Sequence, residues 1–331
     1  MSMTEIARKA GVSVSTVSLV LNNKASIPPA TADKVRAAMR DLNYTLPPVR
    51  ERHGRPPRRP EVRRIGVIAD MPGAWLRSPV YVDALHGVEE EVRAEKGTML
   101  LLHSPTHEDL GRIYGDVDAL VLFGEVKKQA LGPLDHLPCV RMFGGAATRG
   151  WSDRIMVNEA VTGELVAHSL QASGHRLAAI FSQSSTVFDL RRRSLTESFR
   201  ALGGDILDLD ATEAVKIRGE EQYADPDGVG HLLDTWLASD PRPTAIFLGA
   251  DIFAPAVYLS LYERGIRPGI DVKIITCNNE APLLSGLRPR PTIVDIQARQ
   301  IGKQAVARLL WRMAHPHAPL ADILVQPVLL D

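Results

Sequence analysis

Cysteine, net charge and long apolar runs are all scarce in this 331-residue chain. Its two cysteines, Cys139 and Cys277, cannot build a disulfide framework and point to a reducing compartment. No apolar run approaches the roughly 18 residues that a membrane helix needs, and no signal peptide opens the chain. The expectation is a cytoplasmic protein without a membrane partner. Reaction motifs are missing too. There is no glycine-rich phosphate loop ending in Gly-Lys-Ser/Thr, no Gly-x-Ser-x-Gly elbow and no Gly-x-Gly-x-x-Gly. The ten histidines show no metal-ligand spacing, His315 and His317 being a pair beside a proline-rich turn. No catalytic residue, cofactor or metal is assigned, and the chain is not read as an enzyme.

The formal net charge of zero conceals an asymmetry, because the 39 basic and 39 acidic residues are unevenly placed. Residues 1–64 hold 13 Lys and Arg against 5 Asp and Glu, leaving 26 basic and 34 acidic residues in the remainder. A basic front on an acidic body is the footprint of nucleic-acid binding confined to one end. A solvated basic arm would share that composition.

The front segment supplies the choice. Met3 to Tyr44 reads as two short helices joined by a turn at Gly11, followed by a third helix from about Ala30 to Leu42. Ser2 can cap the first helix with Glu5 completing a capping box, and Gly11 suits a left-handed ending. Ser13 is a natural cap for the second helix, which is expected to bury Val17, Val20 and Leu21. That leaves Val14, Ser15, Ser18, Leu19 and Asn22 outward, where hydroxyls can reach phosphates or base edges and apolar groups can touch a thymine methyl. The third helix buries Val35, Ala38, Met39 and Leu42 while presenting Lys34, Arg36 and Arg40.

Glu5-Ile6-Ala7 with Ala10-Gly11-Val12-Ser13, Thr16-Val17-Ser18 with Leu21-Asn22, Lys34-Val35 and Leu42-Asn43-Tyr44 together resemble the headpiece of the LacI/GalR (lactose repressor/galactose repressor) family of bacterial transcription regulators. The resemblance implies double-stranded DNA as partner. Base readout is expected from Val14, Ser15, Ser18 and Leu19, and phosphate contacts from Ser2, Ser13, Thr16, Asn22, Lys34 and Arg40.

From Pro47 the composition changes, with five prolines (47, 48, 56, 57 and 60) and seven arginines by Arg64. Prolines at that density favour an extended path. Members of the family usually place a hinge helix with a leucine wedge here, but no leucine occurs between Leu46 and Leu76. Arg52-His53-Gly54-Arg55-Pro56-Pro57-Arg58-Arg59-Pro60 instead resembles an AT-hook, in which Arg52, Gly54, Arg55 and Arg58 would enter a narrow minor groove. A stiff charged spacer is the alternative.

Beyond Arg64, short apolar strands alternate with amphipathic helices, which implies parallel sheets. Strands are expected at Ile65–Ala69, Thr98–Leu102, Ala119–Phe123 and Cys139–Phe143, with a second set at Leu177–Phe181, Ala245–Leu248 and Val272–Thr276. Two sets argue for two doubly wound lobes. The resemblance continues through Gly174-His175-Arg176, Pro243-Thr244-Ala245-Ile246 and Pro289 to Thr292, and implies a periplasmic-binding-protein-like core with a ligand between the lobes. By that resemblance Arg191 is an effector contact, with Arg192 and Arg193 as register alternatives and solvated arginines as the plain reading. Asp251 would accept from ligand hydroxyls or cap the following helix. Asn158 and Asn278 stand where the family has acids, and Ala250 where it has asparagine. Those departures weaken the case for an ordinary sugar and allow a less polar or anionic effector, or none. Trp75 and Tyr81 could stack on a ligand or pack internally.

The organisation expected is an all-α helix-turn-helix headpiece over 1–46, an Arg/Pro-rich linker over 47–63 and an α/β two-lobed core over 64–331. The first lobe is assigned to about 64–163 and 292–316, the second to about 164–291 and 317–331. The function expected is a nucleoid-associated homodimeric repressor on a pseudo-palindromic operator, controlled by a small molecule of carbohydrate or other type. A small-molecule sensor with weak DNA binding is the alternative.

Overall fold

The computed structural model describes residues 3–21, 28–42, 64–124, 126–143, 150–219 and 221–331. The chain forms two compact units, residues 1–58 and 59–331.

In the first unit, α1 (Met3–Ala10), α2 (Val14–Leu21) and α3 (Pro29–Asp41) close around Ile6, Ala7, Val17, Val20, Val35 and Ala38. The α1–α2 turn follows from one residue. Gly11 takes φ +65°, and the Gly11 and Val12 amides donate back to the Arg8 and Ala7 carbonyls, the pairing that ends a helix on a left-handed glycine. Ser13 then caps α2 as expected, its Oγ accepting from the Thr16 amide at 3.1 Å. Lys9 and Asp41 tie α1 to α3 at 3.2 Å.

The second unit runs β1 (Arg64–Ala69), α4 (Gly73–Leu76), α5 (Pro79–Ala94), β2 (Thr98–His103), α6 (His107–Arg112), β3 (Ala119–Phe123), β4 (Cys139–Met142) and β5 (Asp153–Val157). It continues with α7 (Glu159–Ala172), β6 (Leu177–Ser182), α8 (Thr186–Ala201), β7 (Asp205–Asp210), the hairpin β8 (Val215–Arg218) and β9 (Glu221–Ala224), α9 (Pro226–Leu237) and β10 (Ala245–Leu248). The last elements are α10 (Ala254–Glu263), β11 (Lys273–Cys277), α11 (Ala281–Leu284), β12 (Thr292–Asp295), α12 (Ala298–Ala314), β13 (Asp322–Val325) and β14 (Val328–Leu330).

Two six-stranded sheets result, ordered β2-β1-β3-β4-β5-β13 and β7-β6-β10-β11-β12-β14. All ladders within them are parallel except β12–β14. Central strands such as Ala119–Phe123 and Ala245–Leu248 are buried throughout, as parallel strands covered by helices on both faces must be. On the first sheet α5 and α12 cross closely. A Cβ on Gly302 would stand 2.0 Å from the Ala84 carbonyl oxygen, and one on Gly87 2.0 Å from that of Arg299.

The expected lobe boundaries need correction at the carboxyl end. Thr292–Asp295 pairs with β11 in the second sheet, and Asp322–Val325 pairs with β5 in the first. The chain therefore changes lobe three times: at Asn158, at Ile296–Gln297 and at Gln326–Pro327. These late strands are four residues or fewer, too short for pattern alone to say which sheet edge each completes.

Candidate functional site

On the headpiece, Val14 opens α2 with 42% of its surface exposed, beside the Ser13 and Thr16 hydroxyls, which bond each other at 2.9 Å. Lys34 is exposed on α3. Ser15, Ser18, Leu19 and Arg40 lie on these helices, but their side chains fall outside the described residues, as do Ser2, Asn22, Arg52, Gly54, Arg55 and Arg58 altogether.

The second candidate site is the crevice line of the core, where side chains of the two lobes meet beyond their strand ends. In each sheet the strand order reverses beside the first strand, between β1 and β3 and between β6 and β10, and such switch points are where open α/β sheets leave room for ligands. The side chains collected there all follow strand carboxyl ends. From the first lobe come Ser78 and Tyr81 after β1, Phe123 ending β3 and Phe143 after β4. From the second come Phe188 and Arg191 after β6, Gly249 and Asp251 after β10, and Asn278 and Glu280 after β11. Glu159, after β5, begins α7.

Arg191 is the register that faces inward, 4% exposed, whereas Arg192 pairs with Asp189 and Asp208 and Arg193 is exposed. Its guanidinium is already gripped by protein. Nε and Nη2 donate to the two Glu159 oxygens at 2.6 and 3.1 Å, and Nη1 donates to the Gly249 carbonyl at 2.7 Å and to Asn278 Oδ1 at 3.3 Å. Burial opposes the charge, but the surrounding Cys277, Glu159 and Asp251 outweigh it and hold the pKa above the usual arginine value. The sequence reading missed Glu159 as a site residue, although it leads α7 directly after Asn158.

Asp251 departs from expectation. It is fully buried, with Oδ1 accepting from the Thr276 hydroxyl and Oδ2 from the Glu280 amide, so both oxygens brace the β11–α11 turn instead of facing a ligand. Nor does it cap the helical turn it begins. Burial pushes its pKa up to about 7 against those hydrogen bonds. The braced turn is a demanding one, with Asn278 at φ 116° and Asn279 at φ 66°. Asn279 in turn donates to Asp295 at 3.1 Å.

Glu280 was not anticipated, and it restores the carboxylate that Asn278 removes from the β11 end. It is 5% exposed, accepting from Ser78 Oγ of the other lobe at 2.7 Å and from Asn278 Nδ2 at 3.4 Å. Tyr81 packs edge-on against Phe143 and Phe123, at centroid distances of 5.4 and 6.1 Å. Burial first, then the Glu280 charge, raise the Tyr81 hydroxyl pKa while Arg191 pulls it down, which brings that hydroxyl into the field of both groups. Asn158 stands aside from this constellation, donating to Gln326 at 3.2 Å across two lobe crossings. The side chain of Trp75, on α4, lies outside the described residues. Cys139 and Cys277 are buried and unpaired. Among the described residues no cluster of three or more His, Cys, Asp or Glu could hold a metal, and no helix is long and apolar enough to cross a membrane.

A three-helix headpiece with a capped second helix, joined in sequence to a two-lobed core whose lobes meet at their switch points, is the architecture of a DNA-binding regulator. Comparison with known proteins agrees. Residues 2–46 match the model for bacterial regulatory proteins of the lacI family, and residues 167–330 match the periplasmic binding protein-like domain. The chain thus carries a lacI-family DNA-binding domain at its front and a periplasmic-binding-protein-like domain in its core. It is 27% identical to the HTH-type transcriptional repressor PurR of Serratia proteamaculans (strain 568), over all of this chain and 95% of that protein. It is 26% identical to the ribose operon repressor of Escherichia coli (strain K12), over all of this chain and 98% of that protein. The lac repressor dimer bound to operator and the anti-inducer ONPF shares the fold at 19% identity, with a TM-score of 0.61 over all of this chain and 98% of that one.

Proposed function

We propose that this chain is a cytoplasmic transcriptional repressor, without catalytic activity, whose operator affinity is set by a small molecule held between its core lobes. The observation that carries the reading is the coexistence of the capped, outward-facing start of α2 with the crevice at both switch points of the core. Val14, Ser15, Ser18 and Leu19 read base edges. Val14 and Ser15 have little hydrogen-bonding reach, so the recognition helix alone discriminates modestly, while Ser2, Ser13, Thr16, Asn22, Lys34 and Arg40 hold phosphates. Arg52, Gly54, Arg55 and Arg58 add a preference for A·T steps through the minor groove. The protein works as a homodimer on a pseudo-palindromic operator. Apolar side chains left exposed on the first lobe (Leu100 at 37%, Leu101 at 41%) and on the second (Leu259 at 55%, Tyr262 at 48%) support self-association. Arg191, Asn278 and Tyr81 line the effector crevice. Asp251 and Asn158 support it from behind, and Trp75 stands on the helix before it. Selection from a random DNA pool with the full chain tests the reading. Enrichment of a palindrome with an A·T-rich centre is expected; no enriched sequence at moderate salt would overturn it.

A further inference from the structure

Glu280 is the carboxylate of this cluster for which the described residues supply hydrogen bonds but no ionic partner. The carboxylates around it are spoken for. Glu159 is matched by Arg191 in a two-pronged pair, and Asp251 spends both oxygens on the β11–α11 turn. Among the described residues, the Glu280 carboxylate accepts only from the Ser78 hydroxyl and, at a stretched 3.4 Å, from the Asn278 amide. Among the described residues no lysine, arginine or histidine lies within ion-pair distance of it, although it is 5% exposed. Arg191 is turned to Glu159, and Arg77, next to Ser78 in sequence, is exposed on the surface and engaged elsewhere.

A carboxylate nine-tenths withdrawn from water and lacking a counter-charge is costly, and proteins ordinarily pair such a group or neutralise it. Its surroundings favour a positive partner. Tyr81, with Phe143 and Phe123 behind it, forms an aromatic wall whose ring faces carry negative potential, and the Tyr81 hydroxyl lies in the Glu280 field. The placement is that of a ligand group. Ser78 and Tyr81 belong to the first lobe and Glu280 to the second, so a group seated among them touches both lobes at once.

We propose that the effector carries a protonated nitrogen, an ammonium or amidinium on an apolar or sugar-like body, which Glu280 receives against the Tyr81 ring. The proposal rests on the crevice being the effector site. It reverses the sequence expectation of a less polar or anionic ligand. It also gives the ligand a means of control: a cation that displaces the Ser78 hydroxyl from Glu280 exchanges an interlobe contact for a ligand contact, and so changes the preferred lobe angle.

The test uses the full chain and three matched sets of probes. These are phenethylamine, benzamidine and glucosamine; their uncharged counterparts phenylethanol, benzamide and glucose; and phenylacetate, benzoate and glucuronate. Thermal melts at pH 7 and operator affinity are read with each. The expected result is stabilisation confined to the cationic probes and accompanied by a change in operator affinity. In Glu280→Gln the affinity for the responding cation falls roughly ten- to hundredfold, the loss of a charged hydrogen-bond partner. Glu280→Asp keeps the preference for cations with a smaller loss. A measurement without ligand guards against a folding defect: with the unmatched charge removed, the ligand-free Glu280→Gln protein should melt about 2 °C higher than wild type. A lower melting temperature, equal or greater stabilisation by neutral or anionic probes, or no response to any cation would overturn the proposal. Operator selectivity that persists under those results leaves the regulator reading standing; absence of any selective DNA binding would sink that reading instead.

Discussion

Replacing Glu159 by Gln decides whether Arg191 is held chiefly by the protein or chiefly awaits a ligand. The pair is almost sealed from solvent, with side-chain exposures of 5% for Arg191 and 8% for Glu159, and is joined by two hydrogen bonds of 2.6 and 3.1 Å. Glu159→Gln leaves a buried guanidinium facing a neutral amide that can accept only one of those bonds. Breaking a buried pair from one side costs about 3–5 kcal/mol, because the surviving charge loses its compensation. Remaining bonds to the Gly249 carbonyl and Asn278 put this case toward the lower end. At about 2–4 °C per kcal/mol for a domain of this size, the core should melt roughly 10 °C lower. The double variant Glu159→Leu with Arg191→Met removes both charges and should recover most of the loss. The assay is urea unfolding of wild type, both single variants and the double variant, followed by a signal of the core. A cost below about 1 kcal/mol for Glu159→Gln would refute the reasoning. It would mean that water reaches the guanidinium and that Arg191 is poised for a ligand.

Three further outcomes follow from the geometry. Gly302→Ala drives a methyl group to 2.0 Å from the Ala84 carbonyl oxygen, so α5 and α12 must separate; a loss of about 1–3 kcal/mol is expected in denaturant, and none would show that the crossing is looser. The Asp251 carboxyl, raised from 3.8 to about 7, keeps its proton in the folded state long after the unfolded chain has lost it. Its contribution is therefore full below pH 4 and disappears as pH rises through 7, so the stability of wild type relative to Asp251→Asn should fall by on the order of 4 kcal/mol from pH 4 to 8, and a flat difference would contradict it. Ser13→Ala removes the α2 cap and should cost the headpiece about 1 kcal/mol, read as faster hydrogen exchange at the Thr16 amide, with weaker operator binding.

The front of the chain was legible because its punctuation is local. Gly11 ends one helix and Ser13 starts the next through bonds spanning at most five residues. The buried strands were legible because helices cover both faces and leave continuous apolar runs such as Ala-Leu-Val-Leu-Phe. The Asp205–Asp210 strand was missed for the opposite reason: it is an edge, and its three aspartates read as solvated chain. The β8–β9 hairpin, its short strands interrupted by Lys216, Arg218 and Glu221, was hidden the same way. In the crevice, Arg191 could be located by counting along its helix. Glu280 could not, since its burial depends on Ser78, 202 positions away, and its backbone follows two asparagines with positive φ that break any period. The partners of Asp251 were not legible either, because Thr276 and the Glu280 amide reach it only through the β10–β11 pairing.

The three lobe crossings have a mechanical consequence. Asn158, Ile296–Gln297 and Gln326–Pro327 are one or two residues each. They are braced, moreover, by Asn158 on Gln326 and by Asp295 on both Asn279 and the Gln297 amide. Connectors this short leave no slack for the lobes to slide or part. The freedom left to them is rotation about the three short crossings, as a door turns on its hinges. On the proposed reading, a ligand bridging the lobes at Glu280 would act through a single angle.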